Sequence, residues 1–131
     1  MGTTDRSEPT LPPEPTLPPE PPHYAVIFTS RRPVTDQDDG YGAVAARLEA
    51  LAAGRPGYLG LDSARGPDGL GITVSYWRDE AAIAAWREDV EHTRARRHGR
   101  RAWYESFTVH VAHVERSCAF RAVLGQPSPG T

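Results

Sequence analysis

The chain of 131 residues has no lysine, and all fifteen of its basic residues are arginine, a bias that GC-rich coding explains without a functional role. Cysteine is nearly absent too. The single Cys118 excludes an internal disulfide and fits a reducing cytoplasm. No apolar run approaches membrane-spanning length, and the N-terminus lacks the apolar stretch of a secretory signal. Met1-Gly2 resembles a myristoylation start, but Arg6 stands where that signal needs Ser or Thr. Excess charge of one sign is missing as well. The formal net charge is −2, and residues 1–22 hold four acids against Arg6 alone, so the rest of the chain is close to neutral. Such a balance gives no general attraction to nucleic acid or to a membrane surface. Motifs for a P-loop, a dinucleotide, a zinc ion or a serine nucleophile are also lacking, so no metal site is expected. These absences together describe a soluble cytoplasmic protein with small-molecule or protein partners.

What is present centres on 69–99, GLGITVSYWRDEAAIAAWREDVEHTRARRHG. Ile72, Val74 and Tyr76 alternate with Thr73 and Ser75, which predicts a strand. Past Trp77-Arg78-Asp79 the spacing turns helical, with Ile83, Trp86 and Val90 on one stripe. Asp79 is a good N-cap with Glu80 in the first turn, and Gly99 is a natural stop after a basic last turn. Asp89 is a second preferred N-cap. If a fresh helical segment starts there, the phase resets and His92 turns inward; otherwise His92 lies on the surface.

Before this stretch lie a Pro-rich tail with the direct repeat TLPPEP at 10–15 and 16–21, a strand YAVIFTSR at 24–31, a helix over about 41–53 and a second strand at 58–65. Gly66-Pro67-Asp68-Gly69 then predicts a hairpin into the third strand. After it comes a long last strand, about 103–115, with apolar residues on both sides. The order is β-α-β-β-α-β, a ferredoxin-like α+β arrangement with both helices on one face of an antiparallel sheet. The expected division is a disordered tail over 1–22, a folded domain over 23–124 and a flexible C-terminal tail over 125–131. An open sheet face with a half-apolar last strand calls for a partner, and a homodimer of two such sheets closed into a barrel would bury it.

Four segments carry a resemblance to a known family: PGYLGLDSAR at 56–65, DGLGITVSYWRDEAAIAAW at 68–86, Glu91-His92, and HGRRAWYESFTVHVAHVER at 98–116. In their order and spacing they resemble the antibiotic biosynthesis monooxygenase (ABM) domain family of dimeric α+β barrels. The resemblance implies a cytoplasmic monooxygenase, an oxidoreductase of secondary metabolism that oxidises an electron-rich aromatic or polyketide substrate with O₂ and no metal or flavin. Other members degrade haem, and some have no established reaction. Members of the haem-degrading branch place an iron-ligating His ten residues after the second helix tryptophan, where Arg96 stands here, and an Asn near the end of the first strand, where Ser30 stands. Both departures speak against haem breakdown, while His92 and His98 keep haem binding with another ligand open as an alternative. A dimeric binding or accessory protein without catalysis is a third reading.

Cofactor-free oxidation needs a general base, a cation or donor for the phenolate or enolate, and a dry aromatic cavity. Tyr76, Trp77 and Trp86 are the candidate walls, although Trp86 is equally placed for plain core packing. His92 or His110 is the candidate base, because an imidazole titrates near neutral pH. Of the two histidines on the last strand, His110 is preferred over His113 because it shares the parity of Tyr104. Arg96, Arg100 and Tyr104 are the candidate oxyanion partners. The bland account of the arginines is that basic residues in a last helical turn complement the dipole and pair with Glu88 and Glu91. His92 and Arg96 stand one helical turn apart and share a face.

Overall fold

The computed structural model describes residues 14–35 and 39–122, with the Val90 side chain excepted. The tail over 1–13, the C-terminal tail over 125–131 and the Val90 part of the helix stripe therefore lie outside the described residues. The elements run β1 (His23–Arg31), α1 (Tyr41–Ala53), β2 (Tyr58–Arg65), β3 (Leu70–Trp77), α2 (Glu80–Arg87), α3 (Val90–His98), a π-helical turn (Gly99–Trp103) and β4 (Ser106–Val114). All strand pairs are antiparallel, in the order β2-β3-β1-β4. This is the ferredoxin-like α+β fold that the element order predicts, with the second helix divided in two. No helix among the described residues is long and apolar enough to cross a membrane.

Register decides what each face can do. Val26 pairs with Ser75 on one side and Val111 on the other, and Phe28 with Thr73 and Val109. These side chains share the face that meets the helices, because alternate residues of a strand point the same way. The core gathers there around Trp77, only 1% exposed, with Ala52 of α1 and Ala82 of α2 packed on it. Gly57 lets the chain into β2 close against α2: its φ is +85°, and a Cβ there would lie 2.6 Å from that of Ala82. The predicted hairpin is present, with Asp68 Oδ1 accepting from Leu70 N at 3.1 Å inside its turn.

Three local features differ from the sequence expectation. Thr16, in the second copy of the TLPPEP repeat, is tied to the edge strand β2: its N–H donates to Asp62 Oδ1 and its hydroxyl to the Leu61 carbonyl, each at 2.8 Å. Thr16 is thus held at the sheet edge by hydrogen bonding that proline content does not reveal. Gly99 does not stop the helix. Its backbone stays right-handed helical (φ −57°, ψ −42°) and its carbonyl accepts from Tyr104 N at 3.0 Å, the wide turn of a π-helix. The glycine is needed for close approach instead, since a Cβ would lie 2.7 Å from the Tyr104 ring. Trp103 consequently belongs to this turn, buried and donating from Nε1 to the Asp39 carbonyl at 3.0 Å, and β4 begins only at Ser106.

Candidate functional site

A cavity of about 340 Å³ lies between the helices and the covered sheet face. Its first wall is a run of three rings. Trp77 at the end of β3 stacks on Trp86 of α2 (centroids 6.3 Å apart, planes at 26°), and Trp86 stacks on His92 of α3 (4.5 Å, 13°). Trp77 is thus at the floor of the cavity and holds its indole N–H on Ser75 Oγ at 2.9 Å.

His92 reaches this wall because the helix breaks. Helix α2 ends at Arg87, and Asp89 caps α3 by accepting from His92 N at 3.1 Å. Its Nδ1 lies 2.9 Å from the Trp86 carbonyl oxygen. A carbonyl only accepts, so Nδ1 carries a proton and Nε2 is the basic nitrogen of the neutral ring. Burial holds the His92 pKa below its ordinary 6.5, and the Arg96 and Arg87 guanidinium charges add to this. The bond to Trp86 and the charge of Asp89 oppose the shift without reversing it. The ring is therefore neutral, and basic, at neutral pH.

Cations line the edge beside His92. Arg96 Nη2 donates to the Arg87 carbonyl at 3.2 Å, while its Nε, shielded from solvent, has no hydrogen-bond partner. Arg87 and Arg100 line the same cavity, and the Arg100 guanidinium carbon lies 5.4 Å from the Phe107 ring centroid. Burial and the charges of Arg87, Arg100 and Arg97 lower the Arg96 pKa, though not enough to discharge a guanidinium near neutral pH.

The other end is phenolic. Tyr104 packs edge-on against Phe28 at 5.4 Å and Tyr41 at 5.9 Å. Burial, then its hydrogen bond to the Tyr41 hydroxyl, raise its pKa well above the usual phenol value, so Tyr104 keeps its proton. Behind them Arg65 Nη2 donates to Ser30 Oγ at 2.7 Å and reaches Tyr41 Oη at 3.5 Å. The Arg32 guanidinium carbon sits 3.7 Å over the Tyr41 ring.

Six of the eight residues chosen from sequence line this cavity: Trp77, Trp86, His92, Arg96, Arg100 and Tyr104. Two do not. Tyr76 is on the opposite sheet face, where its hydroxyl donates to Asp62 Oδ2 at 3.1 Å. Strand alternation forces this, because Tyr76 and Trp77 are neighbours and cannot share a face. His110 is exposed on that same face, opposite Ile27. The parity argument joining it to Tyr104 fails because Tyr104 precedes the strand. The π-helical turn and Glu105 lie before Ser106, and the cavity-facing residue of β4 nearest Tyr104 is Phe107. His98, the other histidine near α2, is exposed against Trp103 at 4.5 Å and does not line the cavity. Sequence reasoning missed Tyr41, Arg65 and Arg87, whose roles arise from tertiary contacts with no local signature.

The ferredoxin-like fold of this chain is shared by several solved proteins. The family model for antibiotic biosynthesis monooxygenase matches residues 24–98, and the chain belongs to that family. YqjZ of Bacillus subtilis, described as uncharacterized, is 52% identical over 100 residues, which are 76% of this chain and 86% of YqjZ. The jasmonate monooxygenase ABM of Pyricularia oryzae is 32% identical over 97 residues, 72% of this chain but only 44% of that protein. Among solved structures, SnoaB of Streptomyces nogalater, a cofactor-independent oxygenase, superposes with a TM-score of 0.55 at 16% identity, covering 81% of this chain and all (100%) of SnoaB. A putative antibiotic biosynthesis monooxygenase of Nitrosomonas europaea gives a TM-score of 0.62 at 14% identity, covering 75% and 95% of the two chains. At these identities the structures speak for the fold.

Proposed function

We propose that this protein is a cytoplasmic monooxygenase that oxidises an electron-rich aromatic or polyketide-like molecule in secondary metabolism, with O₂ and without metal or flavin. The observation that carries the reading is the His92 ring, flat on Trp86, with Nδ1–H engaged and a depressed pKa. Such an imidazole is a base matched to proton abstraction near neutral pH. A phenol or enol that loses its proton to Nε2 becomes electron-rich enough to pass an electron to O₂, and the indole wall offers a flat apolar surface against which its ring can lie. Arg96 and the protonated Tyr104 are the donors available to the resulting oxyanion. Membership of the family, the name of the Pyricularia relative and that of SnoaB support the reaction class.

We infer a homodimer as its working form, formed through the uncovered sheet face. That face exposes Leu70 and Ile72 at 43% and 46%, an apolar pair that a second copy would bury.

Purified protein tests the reading directly. O₂ uptake with an anthrone or a hydroquinone, without added cofactor and lost in His92→Ala, is the expected result. Haem binding is the second reading, because His92 is the cavity-lining imidazole and its Nε2 is suited to iron as well as to a proton. A Soret band on haem titration, abolished in His92→Ala, would favour it. Silence in both assays moves the weight to a binding or accessory role.

A further inference from the structure

We propose that the edge of the cavity formed by Arg87, Arg96 and Arg100 is a binding site for a permanently ionised carboxylate on an otherwise apolar substrate. The inference rests on reading the cavity as the substrate site, and adds to it an ionic anchor at the edge beside His92, where Arg96 also faces the oxygen that reacts.

Three guanidinium groups line one cavity, and among the described residues none of them has an ion pair. Several arginines outside the cavity do have carboxylate partners, among them Arg32 with Asp39, Arg47 with Glu91 and Arg55 with Asp89. The lining contains one carboxylate, Glu49, exposed on α1 and without a salt bridge to any of the three among the described residues. The three charges therefore repel each other with no internal compensation. Complementing the helix dipoles explains why basic residues occupy the last turns of α2 and α3. It does not explain the Arg96 Nε, a donor shielded from water with no partner. A hidden unsatisfied donor is costly. Arg32 and Arg55 also leave Nε without a partner, but each of those guanidinium groups has a carboxylate beside it, Asp39 and Asp89, which Arg96 lacks among the described residues. The Arg96 fork is also held in place, with Nη2 on the Arg87 carbonyl, which itself accepts from Thr93 Oγ1 at 3.2 Å. A guanidinium positioned in this way offers planar donors that match a planar carboxylate better than a neutral ligand. Next to these cations the walls are indole and phenyl, so the complementary ligand has an apolar body and one anionic end.

The test uses the full chain and reads binding, not turnover. Phenylacetate, cyclohexylacetate and 1-naphthylacetate are each titrated by calorimetry against their methyl esters, at low and at moderate salt. The acids are expected to bind at least about tenfold more tightly than the esters, with the preference shrinking as salt rises. In Arg96→Gln and Arg87→Gln the preference should fall severalfold, and in the double variant it should vanish, with ester affinity unchanged and melting curves showing that the fold is kept. Equal binding of acid and ester to the natural protein overturns the proposal. So does an acid preference that survives in the double variant, or failure of all three pairs to bind at millimolar concentration. Because no turnover is read, a silent oxygenase assay leaves an observed acid preference standing, and an active one does not rescue a missing preference.

Discussion

One side of the sheet meets Trp77, Trp86, His92 and a group of arginines; the other presents Leu70, Ile72, Tyr76 and His110. The two faces are made by the same strands, often by adjacent residues. The covered face combines a half-buried imidazole with stacked rings and nearby cationic charge, conditions under which a histidine becomes a useful base. The uncovered face has a histidine as well, but His110 is exposed, and its apolar neighbours suit packing. Strand parity alone thus separates the proposed site from the proposed dimer face.

The largest effect that can break this comparison is on turnover. If proton abstraction limits the rate, His92→Ala should lower kcat by roughly two to four decades with little change in substrate binding. His110→Ala should leave kcat within about twofold, since an exposed side chain on the far face has no path to the substrate. Steady-state kinetics on both variants decide it, and equal losses would end the assignment of the covered face as the site.

Stability should divide the faces at the next scale down. Trp77→Ala removes the most buried large side chain and the floor on which Trp86 stacks, a loss of about 3–5 kcal/mol in chemical denaturation. Its neighbour Tyr76, partly exposed and bonded to Asp62, should cost about 1 kcal/mol when replaced by Phe. A smaller gap would mean that the core does not centre where the rings converge. On the uncovered face, Leu70→Glu with Ile72→Glu should leave the protomer folded and shift the proposed dimer to monomer in light scattering.

Much of the covered face was legible because it rests on local rules. Alternation identified the strands, the turn residues identified the hairpin, and Asp79 capped α2 as its side chain predicts, accepting from Ala82 N at 2.8 Å. Asp89 gave the reset that turns His92 inward, an N-cap in the middle of an otherwise helical run. Parity, applied strictly, also excludes Tyr76 as a neighbour of Trp77 within one wall. What was not legible depends on where a regular element begins. Counting from Tyr104 to His110 assumes an unbroken strand, and Gly99 read as a helix stop hides the π-helical turn that consumes the intervening residues. Arg65, Ser30 and Tyr41 meet only through the fold, at sequence separations that no spacing rule covers.

The junction that positions His92 gives an intermediate effect. Asp89→Ala removes the cap of α3 and should cost about 1 kcal/mol of stability. It should also weaken the His92–Trp86 stack, so kcat should fall more than stability alone predicts. A stability loss with unchanged kcat would show that the stack, and not the cap, holds the imidazole in place.

The smallest expected effect is a pH dependence set by His92 on the covered face. The folded His92 pKa lies below 6.5 because burial, with Arg96 and Arg87, disfavours the imidazolium. The unfolded chain therefore takes up a proton near pH 6.5 that the folded chain refuses until a lower pH. Stability then rises with pH wherever the unfolded state binds more protons, so this group's contribution is intact above the unfolded pKa and declines as pH falls from about 6.5 toward the folded value. One proton bounds the slope at about 1.4 kcal/mol per pH unit. The difference between natural protein and His92→Gln, taken by denaturant titration at several pH values from 7.5 down to 5, cancels the other histidines and the carboxylates. That difference should grow in the variant's favour as pH drops. Kinetics supply the partner measurement: the acid limb of the kcat/KM profile should fall below pH 6.5, because a base with a depressed pKa stays unprotonated further into acid. An acid limb above 6.5 would mean that the imidazole is charged in the resting protein, and a charged His92 is a donor to the substrate and not its base.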